Sequence, residues 1–180
     1  SIAFFCDATQ AVGKIKVDVE SDNIDMLSFS GHKINGPKGV GVLFKKKTID
    51  MQPLIHGGSQ ENGLRPGTYN TPLIVGIGKA CELTEEEMGK RLIKVNEVAK
   101  KLSDQLEMLD GVKILVDSIL RVPHIMNVFV DGLDASLFID NLSSIALSTG
   151  SACNSSLITS SHVLRAMGLS EEKALSCFRL

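Results

Sequence analysis

The sequence lacks any apolar run approaching the roughly 20 residues that span a bilayer, and it lacks a dominant charge. Lys and Arg number 19 against 21 Asp and Glu, a formal net charge of −2. Such a balance provides no electrostatic basis for nucleic acid or an anionic membrane as the main partner. The opening residues, Ser1-Ile2-Ala3-Phe4-Phe5-Cys6-Asp7, have no basic head, no signal-peptide cleavage site and no initiator Met. Cysteine is sparse: Cys6, Cys81, Cys153 and Cys177 are widely spaced and form no CxxC or Cys/His cluster. That spacing argues against a disulfide framework and a structural zinc site. No internal repeat or low-complexity tract is visible. What is present is an apolar fraction of 43% over 180 residues, enough for a real core. The expectation is a cytoplasmic globular protein without a metal. The chain starts inside an apparent strand and stops at Phe178-Arg179-Leu180 without a polar tail, so it is expected to be part of something longer.

The first seventy or so residues alternate short apolar runs with turn chemistry. Ile2 to Cys6, Asn23 to Phe29 and Val40 to Phe44 read as strands, the last following the Gly36-Pro37-Lys38-Gly39 turn. From Thr71-Pro72 the period changes: Leu92, Val95, Ala99, Leu102, Leu106 and Leu109 recur at helical spacing. Thr84-Glu85-Glu86-Glu87 matches a capping box, which leaves open one long helix or two abutting ones, ending at Asp110-Gly111. Val112 to Val116 and Ile125 to Val130 are strand candidates; Ala135 to Leu142, Ser161 to Met167 and Glu171 to Cys177 are short helices. The architecture expected is an α/β lobe over 1–75 followed by a helix-led α+β lobe over 76–180.

Three segments carry chemistry. In Ser28-Phe29-Ser30-Gly31-His32-Lys33 a lysine follows a Ser-Gly-His turn at a strand end. A lysine there is either an ordinary surface residue or a nucleophile whose pKa is lowered by desolvation and nearby cations. Ser30 and His32 offer donors to an anion such as phosphate, and Gly31 lets backbone approach it. Asp7 in Asp7-Ala8-Thr9-Gln10 is either a turn residue or a carboxylate that pairs with a protonated ring nitrogen of a cofactor. Cys153 lies among the small polar residues Ser148-Thr149-Gly150-Ser151-Ala152-Cys153-Asn154-Ser155-Ser156, a setting for an exposed reactive thiol rather than a packed one. His56, His124 and His162 read as structural or turn residues, as do Cys6, Cys81 and Cys177.

These segments, with Asp25-Met26-Leu27, Gly36-Pro37-Lys38-Gly39-Val40-Gly41, Gly57-Gly58-Ser59-Gln60-Glu61-Asn62-Gly63-Leu64-Arg65-Pro66-Gly67-Thr68 and Val163-Leu164-Arg165-Ala166-Met167-Gly168, occur in an order that resembles NifS/IscS-type cysteine desulfurases. Those enzymes are pyridoxal-phosphate-dependent members of the class V aminotransferase superfamily. The resemblance runs from end to end. It implies fold type I in part: the C-terminal part of the large α/β domain, then a small α+β domain.

Carried over by position, the resemblance implies that Lys33 holds the cofactor as a Schiff base and that Asp7 pairs with its ring nitrogen. Gln10 would bond the ring hydroxyl oxygen, and Ser30 and His32 the phosphate. Thr68 would reach the phosphate of the other subunit, implying a homodimer with shared sites. Cys153 would take sulfur from L-cysteine as a persulfide and pass it to an acceptor or scaffold protein, and Arg179 would clamp the substrate carboxylate. The implied reaction turns L-cysteine into L-alanine, supplying sulfur for iron–sulfur clusters or thio-cofactors. Rival readings are a selenocysteine lyase or class V aminotransferase relative, and a catalytically incompetent fragment serving as a dimerisation or partner-binding module. The sequence departs from the pattern at Asn35 and Pro66, where Tyr and Ser are more usual. It also lacks the family's N-terminal half, which carries the residue stacked on the cofactor ring.

Overall fold

A computed structural model describes residues 2–149 and 160–180. The chain divides into two compact units, Ser1–Leu92 and Ile93–Leu180. The boundary expected between residues 75 and 76 and the division itself both fall within one long helix, Thr71–Leu106.

In the first unit β1 (Phe5–Asp7), β2 (Met26–Ser30) and β3 (Gly41–Lys45) form one sheet in that order. The β1–β2 pair is parallel and β2–β3 is antiparallel. Alternation along the strands sends Cys6, Leu27, Phe29 and Phe44 to one face, where they pack with buried Ala8 and Ile24. The opposite face carries Phe5 and Leu43, each about half exposed (51% and 49%). A four-residue 3₁₀ turn, Gly31–Ile34, follows β2 directly.

Helix α1 runs unbroken from Thr71 to Leu106, which settles the choice between one helix and two. Pro72 sits in its first turn, where a missing N–H costs nothing. The apparent capping box at Thr84 is not a helix start: Thr84 is buried within α1, and its methyl lies 2.6 Å from where a Cβ on Gly13 would stand. Lys79–Glu82, Glu87–Arg91 and Lys100–Asp104 pairs at helical spacing support its solvated side. The helix stops short of Asp110-Gly111, and Gly111 adopts φ +76° in the turn into the next strand.

The second unit holds an antiparallel sheet of β4 (Val112–Ile114), β5 (Asn127–Val130) and β6 (Cys177–Arg179), with β5 central. Strand β6 replaces the end of the helix expected up to Cys177; helix α4 (Glu171–Leu175) stops two residues earlier. One sheet face buries Met126, Val128 and Phe178 under α2 (Ala135–Asp140), with Phe138 and Phe178 rings 5.5 Å apart. The other buries Phe129 and Cys177 beneath α3 (His162–Ala166) and α4, through Leu164 and Ala174. Both of those helices are capped by a serine hydroxyl, Ser161 accepting from Leu164 N and Ser170 from Lys173 N. No helix among the described residues is long and apolar enough to cross a membrane.

Candidate active site

Parallel pairing makes β1 and β2 end at the same edge of their sheet, and the C-terminal ends of parallel strands are where open α/β sheets bind ligands. Asp7 stands opposite Ser28, so Asp7, Ser28 and Ser30 share the sheet face away from the Ala8–Leu27 core. His32 and Lys33 follow within the 3₁₀ turn. The structure therefore gathers Asp7, Ser30, His32 and Lys33 at one strand edge, with Gln10 exposed in the turn that leaves β1.

The turn that presents Lys33 is held from below. Gly31 and Ile34 are buried while His32 and Lys33 are exposed. Asn35, left-handed at φ +62°, closes it, and Gly36 N donates to Gly31 O at 2.9 Å. A Cβ on Gly36 would sit 2.9 Å from Gly31 O and 3.1 Å from the Ala80 methyl on α1. Gly36→Ala is thus expected to destabilise the chain by about 1–3 kcal/mol, as overpacking does, read as a lowered Tm. An unchanged Tm would show that the turn is not pressed against α1.

Asp7 Oδ1 accepts a hydrogen bond from Thr9 N at 3.0 Å. The Thr9 hydroxyl, then its backbone N–H, hold the Asp7 carboxyl below its ordinary value, outweighing the opposing effect of slight burial. Because the folded value is depressed, this stabilisation is present above the unfolded pKa and is lost as pH falls through the folded one. Thr9→Ala should raise the Asp7 pKa while keeping the N–H bond, and a carboxyl ¹³C titration checks this; an unmoved titration would remove the hydroxyl from that role. Sequence alone does not assign Thr9 this role, although an acid two residues before a threonine is a recognisable local turn signal.

Lys33 Nζ has neither hydrogen-bond nor ion-pair partner among the described residues. An ionised carboxylate, two phosphate-type donors and an unpaired amine are a donor set that fits pyridoxal phosphate. Thr68 lies elsewhere in the same unit, exposed on a stapled loop. Arg65 Nη1 donates to Gly67 O and Thr68 O (3.2 and 3.3 Å), Gly67 N to Gln60 Oε1 (3.1 Å), and Glu61 N to Tyr69 Oη (3.0 Å). Glu61, Asn62 and Gly63 are left-handed in succession, at φ +49°, +57° and +82°. No hydrogen bond joins Thr68 to Asp7, Ser30, His32 or Lys33.

Arg179 belongs to the second unit, on β6. Its backbone exchanges hydrogen bonds with Ser148, Arg179 N to Ser148 O at 2.6 Å and Ser148 N to Arg179 O at 3.2 Å. Cys153 lies outside the described residues.

A profile of the family described as aminotransferase class-V matches residues 1–170. The mitosomal cysteine desulfurase of Encephalitozoon cuniculi is 43% identical over 181 residues, which takes in 99% of this chain and 42% of that protein. The NifS-like protein of Rickettsia africae superposes with a TM-score of 0.87 at 29% identity, over 99% of this chain and 47% of that one. SspA in complex with cysteine matches with a TM-score of 0.73 at 38% identity, over 99% of this chain and 49% of that one. The chain thus spans less than half the length of these relatives. Its architecture is that of a pyridoxal-phosphate protein of fold type I, in part. With the motifs in family order, the strand-edge cluster around Lys33 and the profile over nearly its whole length, the chain belongs to the class V aminotransferase family, whose members are pyridoxal-phosphate-dependent, and its relatives there are cysteine desulfurases.

Proposed function

We propose that this chain carries the cofactor-lysine part and small domain of a cysteine desulfurase that converts L-cysteine to L-alanine and takes the sulfur as a persulfide on Cys153. The observation that supports this most is the gathering of Asp7, Ser30, His32 and a Lys33 unpaired among the described residues at the shared end of two parallel strands. When bound, pyridoxal phosphate supplies an electron sink for charge developing at the substrate Cα. Asp7, held ionised by Thr9, would accept the ring N–H and keep that sink effective. Ser30 and His32 would donate to the phosphate, Gln10 would bond the ring hydroxyl oxygen, and Lys33, once its amine is free, would move the Cα proton.

Arg179 would hold the substrate carboxylate through its planar fork. The Cys153 thiolate would attack the substrate sulfur: an S–S bond forms, the C–S bond breaks, and its electron pair passes to carbon, leaving alanine after protonation. Thr68, on its stapled loop, would reach the phosphate held by a second copy, giving a homodimer with shared sites. Sulfur would then go to an acceptor or scaffold protein for iron–sulfur cluster or thio-cofactor synthesis, in the cytoplasm.

The match to less than half of each relative favours a second reading, a catalytically incompetent dimerisation or partner-binding module. The chain incubated with pyridoxal phosphate and L-cysteine separates the two. Alanine formation with one added sulfur on the Cys153 peptide is the expected result. Bound cofactor without alanine would overturn the desulfurase reading for this chain.

A further inference from the structure

Buried side-chain polar atoms in folded proteins nearly always find a partner, so an orphan calls for a reason. Asn127 Oδ1 is such an orphan: it is shielded from solvent and has no hydrogen-bond partner among the described residues. Asn127 opens β5 and is paired in register with Arg179 of β6. The flanking pair, Met126 and Leu180, exchanges both backbone hydrogen bonds, at 3.1 and 2.8 Å. Asn127 and Arg179 therefore form the neighbouring pair without mutual backbone bonds, the kind whose Cα atoms approach to about 4.5 Å and whose side chains stand closest. Arg179 turns its own N–H and C=O the other way, to Ser148.

Of the other neighbours on this sheet face, Lys113 stands diagonal to Asn127, opposite Phe129, and is exposed to solvent. Leu115, across on the β4 side, and Phe129 are apolar, and the Cys177 thiol is already spent on Lys173 O at 3.0 Å. Arg179 has five N–H donors and no acceptor, while Oδ1 is purely an acceptor. Among the described residues the Arg179 side chain has no hydrogen bond or ion pair either.

We infer that Asn127 is the positioning residue for Arg179: its Oδ1, unpartnered among the described residues, is the acceptor placed to take one guanidinium N–H and so fix the plane in which the remaining N–H pair meets a carboxylate. The inference rests on the proposed role of Arg179 as the substrate-carboxylate clamp. A guanidinium free to swing would lose the two-pronged alignment that distinguishes arginine from a point charge.

The test is side-chain ¹⁵N NMR of the 180-residue chain, following hydrogen exchange at the Arg179 guanidinium in wild type, Asn127→Leu and Asn127→Asp. Exchange is expected to quicken in Asn127→Leu and to slow in Asn127→Asp, whose carboxylate is the stronger acceptor, while the Arg179 backbone amide held by Ser148 stays protected. Identical Arg179 exchange in wild type and Asn127→Asp overturns the inference, even if Asn127→Leu fails to fold. So does a change confined to Arg121, whose buried Nε also lacks a partner among the described residues. With cofactor and cysteine, Asn127→Leu should raise KM by roughly 10- to 100-fold, the cost of one charge-assisted bond, with kcat little changed. A wild-type chain that turns over no cysteine overturns the functional reading, and the exchange data still decide the role of Asn127.

Discussion

Lys33→Ala is expected to abolish covalent attachment of pyridoxal phosphate, read as complete loss of the borohydride-trapped adduct and of its visible absorption after desalting. The fold should be untouched. Lys33 is exposed and has no partner among the described residues, whereas the packing of its turn belongs to Gly31, Ile34 and the contacts of Gly36 with Ala80. A surface substitution of that kind moves stability by no more than about 0.5 kcal/mol, so a lost adduct with an unchanged Tm isolates the chemistry. The same variant should lose the proton transfer at the substrate Cα, a general acid–base contribution of about 10²–10⁴-fold. An adduct trapped as efficiently in the variant as in wild type would remove Lys33 from its role.

Cys153→Ser carries the second large effect. The variant should bind cofactor as wild type does, because every proposed cofactor contact lies between Asp7 and Thr68. It should form no persulfide. A thiol with a pKa near 8.5 supplies some thiolate at neutral pH, and thiolate is the sulfur nucleophile; a serine hydroxyl supplies none. Two of the described cysteines, Cys81 and Cys177, are poor substitutes. Burial pushes the Cys177 thiol up, and its Sγ donates to Lys173 O; burial pushes the Cys81 thiol up as well. Persulfide and normal alanine yield from Cys153→Ser would sink the sulfur-carrier assignment, and sulfur found instead on Cys6, Cys81 or Cys177 would relocate it.

Much of this protein is written in local sequence. Gly36-Pro37-Lys38-Gly39 announces the turn before β3, the apolar residues between Asn23 and Phe29 announce β2, and the Leu92 to Leu106 spacing announces the later turns of α1, because each signal needs only neighbouring residues. The order of the motifs from Asp7 to Arg165 was enough to recognise the family. The tertiary structure decided the rest. Thr84 reads locally as a helix cap, yet packing against the Gly13 turn buries it in mid-helix, and that contact outweighs the propensity of four residues. Cys177–Arg179 is too short to show a period; it becomes a strand because β5 on one side and Ser148 on the other satisfy its backbone. The opposition of Asn127 and Arg179 is a matter of register between distant segments, and register is set by which face each strand buries. Sequence alone determined which residue types and turns this chain possesses. Only the folded sheet decided that Asp7 and Lys33 leave parallel strands at one edge, since strand direction and pairing depend on contacts that no local window contains.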